Sequence, residues 1–137
     1  MIKADRRLVL SRMEKTCAKM GADRNASVFF QKGEGVEVGY VLKDLELTFY
    51  LRLVDGRMEV VEGAAPNPAV VMEMDFSTHH SILMRTMHPM EAVARRKIRI
   101  KVENQKKMSL ILPMTGVMCR AYRESVQEET GCEEVRA

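Results

Sequence analysis

An α+β fold, with a mainly antiparallel five-stranded sheet and helices packed on one face, is what this chain of 137 residues predicts. Three observations carry the prediction. Both ends show apolar residues at spacings of three and four, the period of an amphipathic helix. The middle, from about residue 36 to 76, alternates apolar and polar residues, the period of a half-buried strand. Turn signals such as Asp55-Gly56 separate the alternating runs and suit hairpins. A chain of this length forms one domain, residues 1–137, around one core.

From Asp5 to about Met20, Leu8, Val9, Arg12, Met13, Thr16, Cys17 and Met20 share one helical face, and Gly21 closes the helix. Two β-rich runs then flank Gly33-Glu34-Gly35 and predict a hairpin. Leu45, Leu47, Phe49, Leu51 and Leu53 alternate with mostly polar neighbours, so one face of that strand must be covered. Asp55-Gly56 turns the chain into "RMEVVEG", where Met58 and Val60 oppose Arg57 and Glu59. After "GAAPNP", Val70, Met72, Met74 and Phe76 alternate with Val71, Glu73 and Asp75 as a further strand.

Ser77 is the expected N-cap of a helix over residues 78–87, and Pro89 suits the first turn of a second short helix reaching Arg95. "KIRIKV" returns to period two, with Ile98, Ile100 and Val102 inward and Lys97, Arg99 and Lys101 outward. A helix from about Asn104 to about Glu128, interrupted or kinked at Pro113, completes the pattern. Its apolar residues form two rows, one through Met108, Ile111 and Met118 and one through Leu110, Met114 and Val117. The middle of this helix must therefore lie between the sheet and a ligand, another helix or a second subunit.

Composition narrows the function. Hydrophobic residues at 46% and charged ones at 30% are ordinary for a globular domain, and no apolar run approaches the ~18 residues of a membrane span. The start "MIKADRRLVL" lacks the long apolar region of a secretion signal, so a cytoplasmic location is expected. Cys17, Cys119 and Cys132 are far apart and odd in number, which reads as reduced thiols. Twelve methionines and no tryptophan make a core that can reshape around different apolar shapes. The net charge of +3 is too small to declare a polyanion ligand, although basic residues concentrate from Arg95 to Lys107 and acidic ones from Glu124 to Glu134.

His79 and His80 point about 100° apart on a helix and cannot share one ion, and His88 is two turns or more away, so no metal is expected and the histidines read as solvent-facing or capping. No Gly-x-Ser-x-Gly elbow, Walker loop or Gly-x-Gly-x-x-Gly occurs, so no catalytic residue and no cofactor are nominated. The basic cluster Arg95, Arg96, Lys97, Arg99, Lys101, Lys106 and Lys107 has no interleaved aromatics, which argues against nucleic acid. It reads as a solvated strand face or a contact for an anionic membrane surface.

The stretch from about Val36 to Leu112 resembles the sterol carrier protein 2 domain family. "VDGRMEVVEGAAPNPAVVMEM" is similar to the family's glycine turn, strand and proline-containing loop, and Met87-His88-Pro89, Ala92 and Lys97-Ile98-Arg99-Ile100 match its Met-x-Pro element, short helix and lysine-rich strand. The chain departs from the pattern at Arg85-Thr86, where many members have Gly-Lys, and at Val93-Ala94, where they have two phenylalanines. Arg96 and Val102 also stand where glycines precede and end the strand.

The resemblance implies a hydrophobic tunnel between sheet and helices that holds an apolar lipid such as an acyl chain, isoprenoid or sterol-like molecule, with no enzymatic step. The expected lipid-binding wall is Leu83, Met84, Met87, Met90, Val93, Met108, Ile111, Leu112 and Met118, with residues 77–95 as its gate. Arg95, Arg96, Lys97, Arg99 and Lys101 would meet head groups or a membrane. An empty tunnel of ~500 Å³ would cost up to about 12 kcal/mol, so it must be filled, collapsed or shared. The alternative is a homodimeric or enzyme-partner interaction module without a held lipid.

Overall fold

Asp5 caps the first helix, its carboxylate accepting the Leu8 N–H at 2.8 Å, and the helix α1 runs Arg6–Gly21. Such a cap contributes about 1 kcal/mol. A computed structural model of the chain describes residues 5–22 and 32–130. The first arm of the hairpin expected before Gly33 lies outside the described residues.

Strand β1 (Glu37–Leu42) leads through a 3-10 turn, Lys43–Leu45, into β2 (Leu47–Val54), and Asp55-Gly56 turns β2 into β3 (Arg57–Glu62). Asp55 and Gly56 both have positive φ, 53° and 74°, as a type I′ hairpin turn requires. Leu45, expected in the strand, falls in the turn. Leu47, Phe49, Leu51 and Leu53 are fully buried, as their alternation predicts.

Residues 63–69 carry the chain back beside the start of β1, where Ala69 N–H donates to the Glu37 carbonyl at 2.8 Å and Asn67 N–H to the Glu37 carboxylate at 2.9 Å. Strand β4 (Val70–Met74) therefore pairs with β1 in parallel. The sheet order is β3-β2-β1-β4-β5, and the other three pairings are antiparallel. The sheet is thus mixed, though mainly antiparallel.

Helix α2 spans Phe76–Leu83, with Asp75 and not Ser77 at its N-cap. The carboxylate that meets its first turn comes from elsewhere in the chain: Asp44 accepts the Phe76 N–H at 2.9 Å. Sequence spacing gives no sign of this long-range cap, so the predicted boundary falls two residues late. Helix α3 (Pro89–Ala94) has proline in its first turn and His88 as N-cap, accepting the Met90 N–H at 3.0 Å. Edge strand β5 (Ile98–Val102) follows, then α4 (Gln105–Ile111) capped by Asn104, a 3-10 turn Leu112–Met114 holding Pro113, and α5 (Thr115–Thr130).

The inner sheet face, carrying Val38, Tyr40, Leu42, Phe49 and Leu51, is the one the helices cover. Helix α1 packs along α5 and over β3, while α2 packs on α5. The second neighbour demanded by the apolar rows of the terminal helix is therefore another helix, in fact two. Met114, Met118, Cys119, Ala121, Tyr122 and Val126 bury that contact.

Candidate functional site

The nine residues expected to line a ligand wall divide into three groups. Leu83, Met84 and Met118 are buried in the core, and Met87, Met108 and Ile111 pack half-buried against it. Met90, Val93 and Leu112 are exposed, Met90 at 66%. Ile100 and Val102, expected inward, lie on the helix side of the sheet but are 39% and 42% exposed. The correction has a simple cause: β5 is an edge strand, so it lacks a neighbour on one side, and only Ile98 among its residues is buried.

Every large apolar side chain that is markedly exposed among the described residues comes from residues 90–112. Close by in sequence stand the five expected head-group cations, all exposed. Arg95 pairs with Glu91 at 3.1 Å, Arg99 with Glu73 at 3.7 Å and Lys101 with Glu103 at 3.4 Å. Solvent-exposed pairs of this kind hold the side chains only loosely.

Aromatic side chains pack between the sheet and the helices α2 and α5. Tyr40 stacks on Phe49 with ring centroids 4.9 Å apart, and His79 stands edge-on to Tyr40, Phe49 and Tyr122. The Tyr40 hydroxyl donates to the Met118 sulfur at 3.7 Å. His79 is only 2% exposed, which corrects the expectation of solvent-facing histidines. Its period-one pairing with His80 concealed that the two rings point to different environments. His80 reaches the Tyr122 hydroxyl through Nδ1 at 2.8 Å, whereas His79 Nε2 has no hydrogen-bond partner.

Burial, with smaller contributions from nearby His80 and Arg12, pushes the His79 pKa down to about 3, so its ring is neutral. Burial and Arg12 lower His80 as well. Tyr122 is pushed up to about 12 by burial, against the pull of Arg12. Burial disfavours the Arg12 guanidinium itself, but its hydrogen bonds with Glu129 and Tyr122 hold its pKa above the ordinary value. Arg12 donates to both carboxylate oxygens of Glu129, at 3.0 to 3.3 Å. The network ties α1, α2 and α5 together and offers no nucleophile. Among the described residues no group of three or more His, Cys, Asp or Glu side chains could hold a metal ion.

Sequence reasoning missed this network, although one signal was present: an arginine on the apolar stripe of α1 requires a buried carboxylate partner. It also missed a cleft of about 450 Å³ between the start of α2 and the junction of α3 with β5. Lys43, Ser77 and Thr78 line it beside Arg96, Lys97 and Arg99, and of the nine expected wall residues Val93 alone reaches it. Lys43 comes from the turn after β1, fifty residues from the basic cluster, so no local pattern could join them.

Arg85 and Arg96 have φ of 63° and 58°, a left-handed backbone in which glycine is free of strain. These are the positions at which the resemblance places glycine. At both positions the chain carries an arginine in a backbone conformation that favours glycine.

The model of the SCP-2 sterol transfer family matches residues 15–110, well over half of the chain. The chain belongs to the SCP-2 sterol transfer family. Membership supports binding or transfer of a lipid or sterol as the general activity of the domain. Solved structures with the same fold include one described as UbiJ-SCP2 ubiquinone synthesis protein, at 9% identity and a TM-score of 0.63, covering 85% of this chain and 93% of that one. The sterol carrier protein domain 2 of Helicoverpa armigera has 18% identity and a TM-score of 0.63, covering 83% and 87% of the two chains. A crystal structure of sterol carrier protein 2 has 18% identity and a TM-score of 0.60, covering 83% and 95%. In a comparison with curated proteins, none matches this chain in sequence. No described helix is long and apolar enough to cross a membrane.

Proposed function

We propose that this SCP-2 domain is a non-enzymatic carrier or presenter of an apolar lipid, whose tail lies on the apolar surface around α3, β5 and the turn after α4. One observation supports this above the others: the markedly exposed large apolar side chains among the described residues are confined to residues 90–112, inside the stretch expected to line the ligand. Half-buried Met87, Met108 and Ile111 extend that surface towards the core, and the two flexible methionines suit tails of different shape. A tail burying about a dozen methylenes would gain about 10 kcal/mol before ordering costs. The exposed cations Arg95, Arg96, Lys97, Arg99 and Lys101 suit an anionic head group or membrane surface.

The test places charge on the exposed part of this surface. Met90→Asp combined with Leu112→Asp leaves the buried core untouched, and uptake of a fluorescent fatty acid is expected to fall at least tenfold with an unchanged circular dichroism spectrum. Equal uptake by the variant and the parent would refute the placement. The same exposed surface also favours a homodimer or a partner enzyme, a reading that gains support from the neighbour described as a ubiquinone synthesis protein. Sedimentation of the lipid-free protein separates the homodimer, since the double variant would then convert a dimer to a monomer.

A further inference from the structure

The cleft between α2 and the α3–β5 junction has a chemistry distinct from the apolar surface. Four cations line it, Lys43, Arg96, Lys97 and Arg99, against the two carboxylates Glu73 and Asp75. Glu73 lies 3.7 Å from Arg99, while Lys43, Arg96 and Lys97 have no ion-pair partner among the described residues. Hydroxyls of Ser77 and Thr78 complete the polar wall. Thr78 is 4% exposed, yet its side chain has no hydrogen-bond partner among the described residues. Its hydroxyl keeps some solvent access and so is free to donate to a ligand in the cleft.

The first turn of α2 adds donors to the same wall. Asp44 occupies the Phe76 N–H, but Asp75 makes no side-chain cap, which leaves the N–H groups of Ser77 and Thr78 without a side-chain acceptor. Arg96 holds a left-handed backbone at the rim, where its side chain gains nothing from any described ion pair. That backbone closes α3, with the Arg96 N–H donating to the Val93 carbonyl at 3.0 Å and the Lys97 N–H to the Ala92 carbonyl at 2.8 Å, and it sets the Arg96 side chain beside the cleft. Val93, 41% exposed, and Ile98 also line the cleft, so its apolar side opens towards the residues of α3 and β5 that would carry a tail.

We propose that this cleft binds the phosphate group of a phosphorylated amphiphile, with Arg96, Lys97 and Lys43 as its counter-charges and Ser77 and Thr78 as hydrogen-bond donors. Several cations and neutral donors converging on one small volume match an oxygen-rich dianion better than a single carboxylate, which one arginine fork would satisfy. The inference rests on the apolar-ligand reading for the tail, but the phosphate subsite stands on its own residues.

Isothermal titration calorimetry with dodecyl phosphate, dodecanol and inorganic phosphate tests the two readings separately. Dodecyl phosphate is expected to bind at least tenfold more tightly than dodecanol, and Arg96→Gly combined with Lys97→Gln to collapse that ratio towards one. The glycine removes the guanidinium while suiting the backbone, so the variant remains folded. Equal affinities for the phosphate and the alcohol in the parent protein would overturn the phosphate subsite and leave the apolar reading intact. A ratio that the variant leaves unchanged would overturn it as well. Binding of inorganic phosphate with no added gain from the alkyl chain would support the cleft as a site for free phosphate and overturn the tail reading. Binding of none of the three would overturn both.

Discussion

Lowering the pH should destabilise this domain most strongly through His79. The ring is fully enclosed by Tyr40, Phe49, Phe76 and Tyr122, and its folded pKa is pushed down to about 3, against 6.5 for an exposed histidine. Below the unfolded value the unfolded chain binds a proton that the folded chain refuses, so stability is present above about pH 6.5 and is lost progressively down to about pH 3. The slope approaches about 1.4 kcal/mol per pH unit, which amounts to about 2 kcal/mol between pH 7.5 and pH 5. That is a large part of the 5–15 kcal/mol typical of a folded domain. Urea denaturation at the two pH values, with the parent and His79→Phe compared, measures it. The variant keeps a ring in the aromatic cluster and loses both the titration and the unpartnered nitrogen, so its pH sensitivity should be smaller by about 2 kcal/mol. The lowered His80 is present in both proteins and cancels in the difference. Parent and variant losing stability in parallel would refute the assignment of the neutral core ring.

Glu129→Ala strands the Arg12 guanidinium, whose side chain is 6% exposed, and should cost about 3 kcal/mol in urea denaturation. Arg96→Gly alone should stabilise the domain by about 1 kcal/mol, because φ of 58° strains any residue with a Cβ; a lower melting temperature would contradict the backbone geometry. Burial raises the Cys17 thiol to about 12, with Glu14 adding to the effect, so iodoacetamide at pH 8 should leave Cys17 unmodified until the chain is unfolded, as peptide mass spectrometry would show. Met118→Asp should disrupt folding and so cannot report on lipid uptake, because Met118 is buried against the Tyr40 hydroxyl; a folded variant by circular dichroism would contradict its place in the core.

The amino-acid pattern by itself determined the order of elements, the strand face formed by Leu47, Phe49, Leu51 and Leu53, the Asp55-Gly56 turn, the break at Pro113 and the family. Each of these is local: a period, a turn conformation or a run of matched spacings is complete within a few neighbouring residues. Only the tertiary structure decided the parallel pairing of β4 with β1, the capping of α2 by Asp44 and the exposure of Ile100 and Val102 on an edge strand. It also decided that His79 lies in the core and that Lys43 meets Arg96 and Lys97 across one cleft. Periodicity says that a residue faces inward or outward from its own element, but burial depends on which element lies opposite. A charged site further depends on residues far apart in sequence meeting in space, and neither quantity is encoded by spacing along the chain.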